Sequence, residues 1–324
     1  MNNLNSDFFK KLDLCPVCES KNIKLFSQIS WDVNEKILTK LGVNYFYPKW
    51  SICNNCSHVF LNPRFSDKFE KKLYGNDSIY RNISHRGQST FDYMMTIDNT
   101  IDGSAKYHKT HFLLLKKVLK IIGKSKNIKF LDFGAGWGSC STAAKAHNIK
   151  YNGLELDRWC LEQAQILNRN VKSSYDDFEN LDLIYSSQVF EHINNPKKVL
   201  ETFVNKMKHG SYIFTNVPTY EFNSYRNWGI GGLNALNWFH CQSYSRESLS
   251  HLFQQYGFKT VKSWLGTGDI NILVQKTGDV NDTLKINNNS IKRREIGFKF
   301  HKLILVKLHY LLMLPKNFIK YLIR

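Results

Sequence analysis

Proline is scarce, with six residues in a chain of 324, and glycine contributes only 18. Long flexible linkers and a collagen-like chain are thereby excluded. No apolar run approaches the roughly 18–20 residues that cross a bilayer. The opening residues, MNNLNSDFFKKLDLC, lack the charged-then-apolar order of a secretory signal. The expectation is a cytoplasmic chain whose seven cysteines stay reduced, for metal binding or as free thiols. Acids are also few, 27 against 45 Lys and Arg, which leaves a net charge of +18. That excess is uneven: Ser290 to Arg324 holds nine Lys and Arg against the single acid Glu295, or +8 from about a ninth of the chain. The charge describes the tail more than the body, so polyanion binding is not expected of the whole protein. What is present is ample apolar material, 42% of the chain, enough for about two domains or one with appendages.

Three regions separate. Residues 1–75 carry two Cys pairs and many aromatics. Residues 76–277 contain, from about 105, the alternation of short apolar runs and amphipathic stretches that builds a parallel sheet. Residues 278–324 are a polar linker and a basic, apolar tail. In the middle region the pattern predicts helices at 106–122, after the glycine loop to about 147, and at 158–168, 196–208 and 246–256. Strands are predicted at 128–133, 150–155, 171–173, 181–187, 211–217, 258–264 and 270–276. The last two have no helix between them and should form an antiparallel hairpin. Ser245 and Gly257 read as the caps of the last helix.

The segment FLDFGAGWGS, residues 130–139, runs from a strand through Gly134, Gly136 and Gly138 into a helix. Such glycines allow tight turning and close approach of a ligand. Ser139 stands where the third glycine of a dinucleotide loop would fall, which points to a different adenine-containing ligand. Glu155 follows at the end of the next strand, where a carboxylate can accept both ribose hydroxyls. Together with GLELD, the acidic turn Ser174–Phe178, DLIYSSQVFEHINNP and HCQSYSRESLSHLFQQYGF, this loop resembles the class I S-adenosylmethionine (SAM)-dependent methyltransferases. The resemblance implies an α/β, Rossmann-like, seven-stranded, mostly parallel sheet. It also implies a SAM site in which Asp132 and Gly134 lie near the methionine end and Gly136 packs under the ligand. Glu155 would hold the ribose, Asp176 or Asp177 would face the adenine, and Ser187 and Gln188 would lie beside the sulfonium. Ala135 and Leu156 complete that set. An incidental glycine loop, or a SAM-binding scaffold without turnover, stays open.

Cys15-Pro-Val-Cys18 and Cys53-Asn-Asn-Cys56 are two C-x-x-C knuckles. Two such pairs complete a closed four-thiolate site, with Zn–S bonds of about 2.3 Å. Having no open position, that zinc would be structural; redox thiols or core cysteines are the other readings. The run Cys56-Ser-His-Val-Phe-Leu-Asn-Pro-Arg resembles a branch of the same superfamily that begins with a small zinc-ribbon domain. Members of that branch are typically bacterial and many modify sugars or metabolites of surface glycans.

Methyl transfer to a hydroxyl needs a positioned acceptor and a base. His192, just past the fourth strand, and His240, in the long aromatic loop after the fifth, are the two histidines suited to it, and Tyr220 shares that loop. For His192, with Glu191, a structural pair supporting the pocket is the alternative; for His240 it is a packed or capping role. Related sugar C-methyltransferases read H-E-H where this chain has Trp238-Phe239-His240, which leaves O-methylation as the simpler expectation. SSQVFEH stands where N-P-P-Y would mark adenine or amide methylation. The expected substrate is therefore a small-molecule or glycan acceptor, a sugar or sugar-containing precursor of a bacterial surface polysaccharide. An RNA base methyltransferase is the rival enzyme reading, against which the body lacks an Arg/Lys stripe.

The tail, residues 291–324, places Ile304, Leu308, Leu311 and Leu312 on one face of a basic amphipathic helix. Peripheral contact with the inner face of a membrane, packing on the body, packing on a second subunit of a homo-oligomer, and nucleic-acid binding are the readings of that basic face.

Overall fold

The computed structural model describes residues 8–28, 48–74, 106–123, 127–219, 235–236, 239–266, 268–280, 291–292 and 294–296. Tyr220, most of the aromatic loop, the polar linker from 281 to 290 and residues 297–324 lie outside them.

The first elements are β1 (Phe9–Lys10), β2 (Ile23–Gln28), β3 (Lys49–Cys53), β4 (Val59–Leu61), β5 (Arg64–Phe65) and α1 (Asp67–Tyr74). The body follows as α2 (Lys106–Ile122), β6 (Phe130–Phe133), α3 (Ser141–Ala146), β7 (Gly153–Leu154), α4 (Arg158–Ile166), β8 (Val171–Lys172) and β9 (Leu181–Ser187). It continues with α5 (Pro196–Lys206), β10 (Met207–Pro218), β11 (Gln242–Ser243), α6 (Arg246–Gln254), β12 (Phe258–Leu265) and β13 (Asp269–Lys276). Seven strands form one sheet in the order β12-β13-β10-β9-β6-β7-β8. β8 through β10 run parallel, while β13 is antiparallel to both β10 and β12, which is the predicted final hairpin.

The core sits on both faces of this sheet, as period-two alternation requires. Leu131 and Phe133 of β6 face a cluster containing Ile184, Ile213, Phe203 and Leu249. Phe130 turns the other way, with Leu183, Tyr185, Phe214 and Leu273. There α2 lays Leu115, Val118 and Leu119, spaced as one helical stripe, while Lys116 and Lys120 stay exposed. Burying each such leucine contributes about 1.5–3 kcal/mol. The predicted 196–208 helix stops at Lys206, because Met207 is buried and pairs with Leu181 as the first residue of β10.

The cysteine region is not a separate ball. Its sheet runs β11-β4-β3-β2, so its edge strand comes from the far side of the aromatic loop, with Gln242 opposite Phe60 and Ser243 opposite Val59. Cys15, Val17, Cys53, Cys56 and Phe60 belong to the same core cluster as Leu200, Tyr244 and Phe253. The Asn-Pro-Arg of the sequence motif locks this union. Asn62 donates to and accepts from the backbone of Leu12 at 2.9 Å each, and the buried Arg64 donates to the Asn194 carbonyl at 2.5 Å. The start of the tail joins in, for the Arg294 guanidinium donates to the carbonyls of Ser57 (2.6 Å) and Tyr244 (2.9 Å).

Candidate functional site

β6 delivers its chain into the glycine turn at the carboxyl edge of the sheet, where open α/β sheets hold ligands. Gly134 has φ +72, and a Cβ there would lie 2.4 Å from Val189 Cγ2, so β9's exit packs directly on this glycine. Gly136 has φ +55, and a Cβ there would meet nothing within 4 Å. Beside that open space stands Glu155, just after β7. Its Oε2 accepts from the Gly136 N–H at 2.9 Å, and its Oε1 accepts from the N–H groups of Leu156 (2.7 Å) and Asp157 (2.9 Å). Three backbone donors thus hold the carboxylate in one orientation without covering it, since Glu155 remains partly exposed. The open face over Gly136 and the fixed carboxylate fit an adenosyl ligand.

Asp132 is 4% exposed, and burial pushes its carboxyl up to about 7; the nearby Glu155 charge adds to this, and the Tyr151 hydroxyl, donating at 2.8 Å, opposes it. Tyr151 escaped the sequence reading because an aromatic in a strand is ordinarily core. Asp176 and Asp177 sit in a short 3-10 turn, whose Ser174 hydroxyl accepts from the Asp176 N–H and donates to its carboxylate at 2.8 Å. Ser187 ends β9, and Gln188 follows with φ +60. Gln188 is held there by Asn216: its N–H donates to the Asn216 carbonyl at 2.8 Å and its Nε2 donates to Asn216 Oδ1 at 2.7 Å. Asp269, at 3.3 Å from the same Nε2, closes this polar group; burial raises its carboxyl. Neither Asn216 nor Asp269 carried a motif signal.

From Val189 the chain enters a 3-10 turn, Phe190–His192. His192 and His240 meet there with ring centroids 4.7 Å apart and planes at 77°. His192 Nδ1 lies 3.2 Å from the Phe239 carbonyl, and its Nε2 lies 3.8 Å from Glu191 Oε1. The Cys241 N–H donates to the Glu191 carbonyl at 2.8 Å, tying the two segments together. Both histidines named by the sequence therefore occupy one place.

The four knuckle cysteines also converge, one sulfur from each lying within 4.8 Å of the others. Cys15 and Cys56 sulfurs are 3.4 Å apart and those of Cys18 and Cys53 are 3.5 Å apart. A tetrahedral ion with 2.3 Å bonds sets its sulfurs about 3.8 Å apart, so the donor set fits zinc with small adjustment. The knuckles share one shape: Glu19 N–H donates to the Cys15 carbonyl and Ser57 N–H to the Cys53 carbonyl, both at 2.9 Å. Glu19 and Ser57 also both have positive φ, 57° and 54°. Next to this centre, His58 Nε2 donates to Gln242 Oε1 at 2.7 Å, and Gln242 Nε2 donates onward to the Ile193 carbonyl at 3.1 Å. Burial lowers the His58 imidazole to about 4, so it is neutral there.

Residues 107–263 match the family model described as a methyltransferase domain. That stretch is just under half of the chain, and over it the protein is similar to a methyltransferase domain. No curated protein sequence matches it. Among solved structures, it is similar to a SAM-dependent methyltransferase from Clostridium acetobutylicum, at 11% identity and TM-score 0.42, over 58% of this chain and 99% of that one. It is also similar to one from Archaeoglobus fulgidus, at 20% identity and TM-score 0.41, over 51% and 94%. A third, from Aquifex aeolicus, gives 18% identity and TM-score 0.39, over 50% and 88%. No described helix is long and apolar enough to cross a membrane.

Proposed function

We propose that this methyltransferase methylates a hydroxyl oxygen of a sugar or sugar-containing precursor of a bacterial surface polysaccharide. The observation that carries the reading is the meeting of His192 and His240 one short turn from Val189, the residue packed on the glycine loop. When bound, SAM offers a methyl carbon made electrophilic by its sulfonium. Glu155 would accept from the ribose hydroxyls, and Asp176 or Asp177 would accept from the adenine amino group. Asp132 would lie near the methionine end. Ser187 and Gln188, held by Asn216, border the space where the acceptor must enter. The paired imidazoles next to it can take the acceptor's proton, and Tyr220 joins them as a candidate from the aromatic loop. Zinc in the Cys15, Cys18, Cys53, Cys56 site would hold β3 and β4, and through β11 the backbone that carries His240. Residues 291–324 would bring the enzyme to the anionic membrane surface on which such precursors are assembled.

The test is transfer of labelled methyl from SAM to nucleotide sugars and lipid-linked glycans, with the product linkage read by mass spectrometry. A methyl ether on a sugar supports the reading. Label appearing in RNA instead, or SAM binding without transfer to any glycan fraction, removes it.

A further inference from the structure

We propose that Glu191, His192 and His240 form a second metal site, distinct from the cysteine centre, that takes a divalent transition metal such as Zn²⁺, Mn²⁺ or Fe²⁺. One ligand atom from each of the three lies within 4.8 Å of the others. Bonds of about 2.0–2.2 Å to one ion place ligand atoms about 3.4 Å apart, so modest side-chain rotation closes the set. The Nε2–Oε1 separation of 3.8 Å between His192 and Glu191 is too long for a hydrogen bond and close to the spacing of two ligands on one ion.

The surroundings match those of a ligating histidine. His192 Nδ1 faces the Phe239 carbonyl at 3.2 Å, which puts the ring proton on Nδ1 and directs the Nε2 lone pair toward Glu191. A metal-bound imidazole is usually oriented in this way, by donating its other N–H to a carbonyl. The carboxylate is buried, 1% exposed, where a cation offsets the cost of removing charge from water. The turn after β9 and the segment entering β11 are stapled together by the Cys241 N–H bond to the Glu191 carbonyl, so the ligands are presented on fixed backbone. Two nitrogens and one carboxylate oxygen favour a transition metal over Mg²⁺ or Ca²⁺. Three protein ligands leave at least one position open on such an ion.

The inference deepens the proposed function, in that a hydroxyl bound at the open position would be acidified by the ion. With an ion bound, His192 and His240 would act as its ligands in place of the base role given above, and the acceptor's proton would pass to solvent water. The metal site itself stands on geometry alone. The experiment is calorimetric titration of Zn²⁺, and of Mn²⁺, into the full chain already holding one zinc equivalent by elemental analysis. Binding of a second equivalent is expected, weakened at least tenfold in His192→Gln and in His240→Gln while the first equivalent is retained. Binding of only one equivalent to the wild type, or a second equivalent indifferent to both substitutions, overturns the site. SAM titration of the same samples keeps the two readings apart: a protein that binds SAM but no second ion loses only this inference, and one that binds the ion but no SAM loses the methyl-transfer reading.

Discussion

His192 and His240, far apart in sequence, stand edge to face with ring centroids 4.7 Å apart. Their contact is possible because Gln242, two residues after His240, is held at once by His58 and by the Ile193 carbonyl. Replacing His240 with Ala is expected to lower kcat at least 100-fold, with the SAM dissociation constant within about twofold of wild type. Turnover measured beside SAM calorimetry checks this, and unchanged turnover would remove the imidazole from the reaction.

The glycine loop should be intolerant at two positions for different reasons. A Cβ at Gly134 collides with Val189, so Gly134→Ala should lower stability by about 1–3 kcal/mol, partly recovered in a Gly134→Ala, Val189→Ala double variant. Gly136 faces open space but has φ +55, so Gly136→Arg should cost about 1–2 kcal/mol through left-handed backbone strain, without a steric clash, and abolish SAM binding. Thermal melts with and without SAM separate these two effects.

Asp132 gives a pH dependence whose sign is fixed. Its folded carboxyl titrates at about 7, against about 3.9 in an unfolded chain. The folded ligand-free protein holds that proton longer, so this contribution to stability is present below about 4 and is lost as pH rises through about 7. SAM carries positive charge and favours the ionised carboxylate, so its affinity should rise between pH 6 and pH 8. Asp132→Asn should flatten both profiles; an unchanged pH dependence of SAM affinity in that variant would place the titrating group elsewhere.

Removing the cysteine metal should reach beyond the knuckles. β11 hangs on β4, and the sulfurs share a core with Tyr244 and Phe253. Cys56→Ser is therefore expected to release zinc, lower the melting temperature and reduce turnover together. Retained turnover in a zinc-free variant would show that the cysteine sheet does not position His240.

The features legible in the sequence were local ones. Both C-x-x-C spacings, the strand-to-glycine turn at Phe133–Gly134 and the Ser245 cap are written in consecutive residues, and the strand sequence of the sheet followed from its alternation. Pairing across the chain was not legible. Gln242 and Ser243 are two polar residues that read as loop, and only their register against Phe60 and Val59 makes them a strand. Likewise the spacing of His192 and His240 says nothing of contact, which depends on where β9 and the returning loop end. Tyr151 and Asp269 gain their interest from burial beside the loop, and burial of a single side chain has no sequence signature.

The central claim is that an adenosyl donor lies over the turn from Phe133 to Gly138 with its ribose on Glu155. The structure of the protein in complex with S-adenosylhomocysteine tests it most directly. Both ribose hydroxyls should lie within hydrogen-bond distance of the Glu155 carboxylate, with the nucleoside over Gly136. A ligand bound away from that turn, with Glu155 still facing only its own backbone donors, would contradict it.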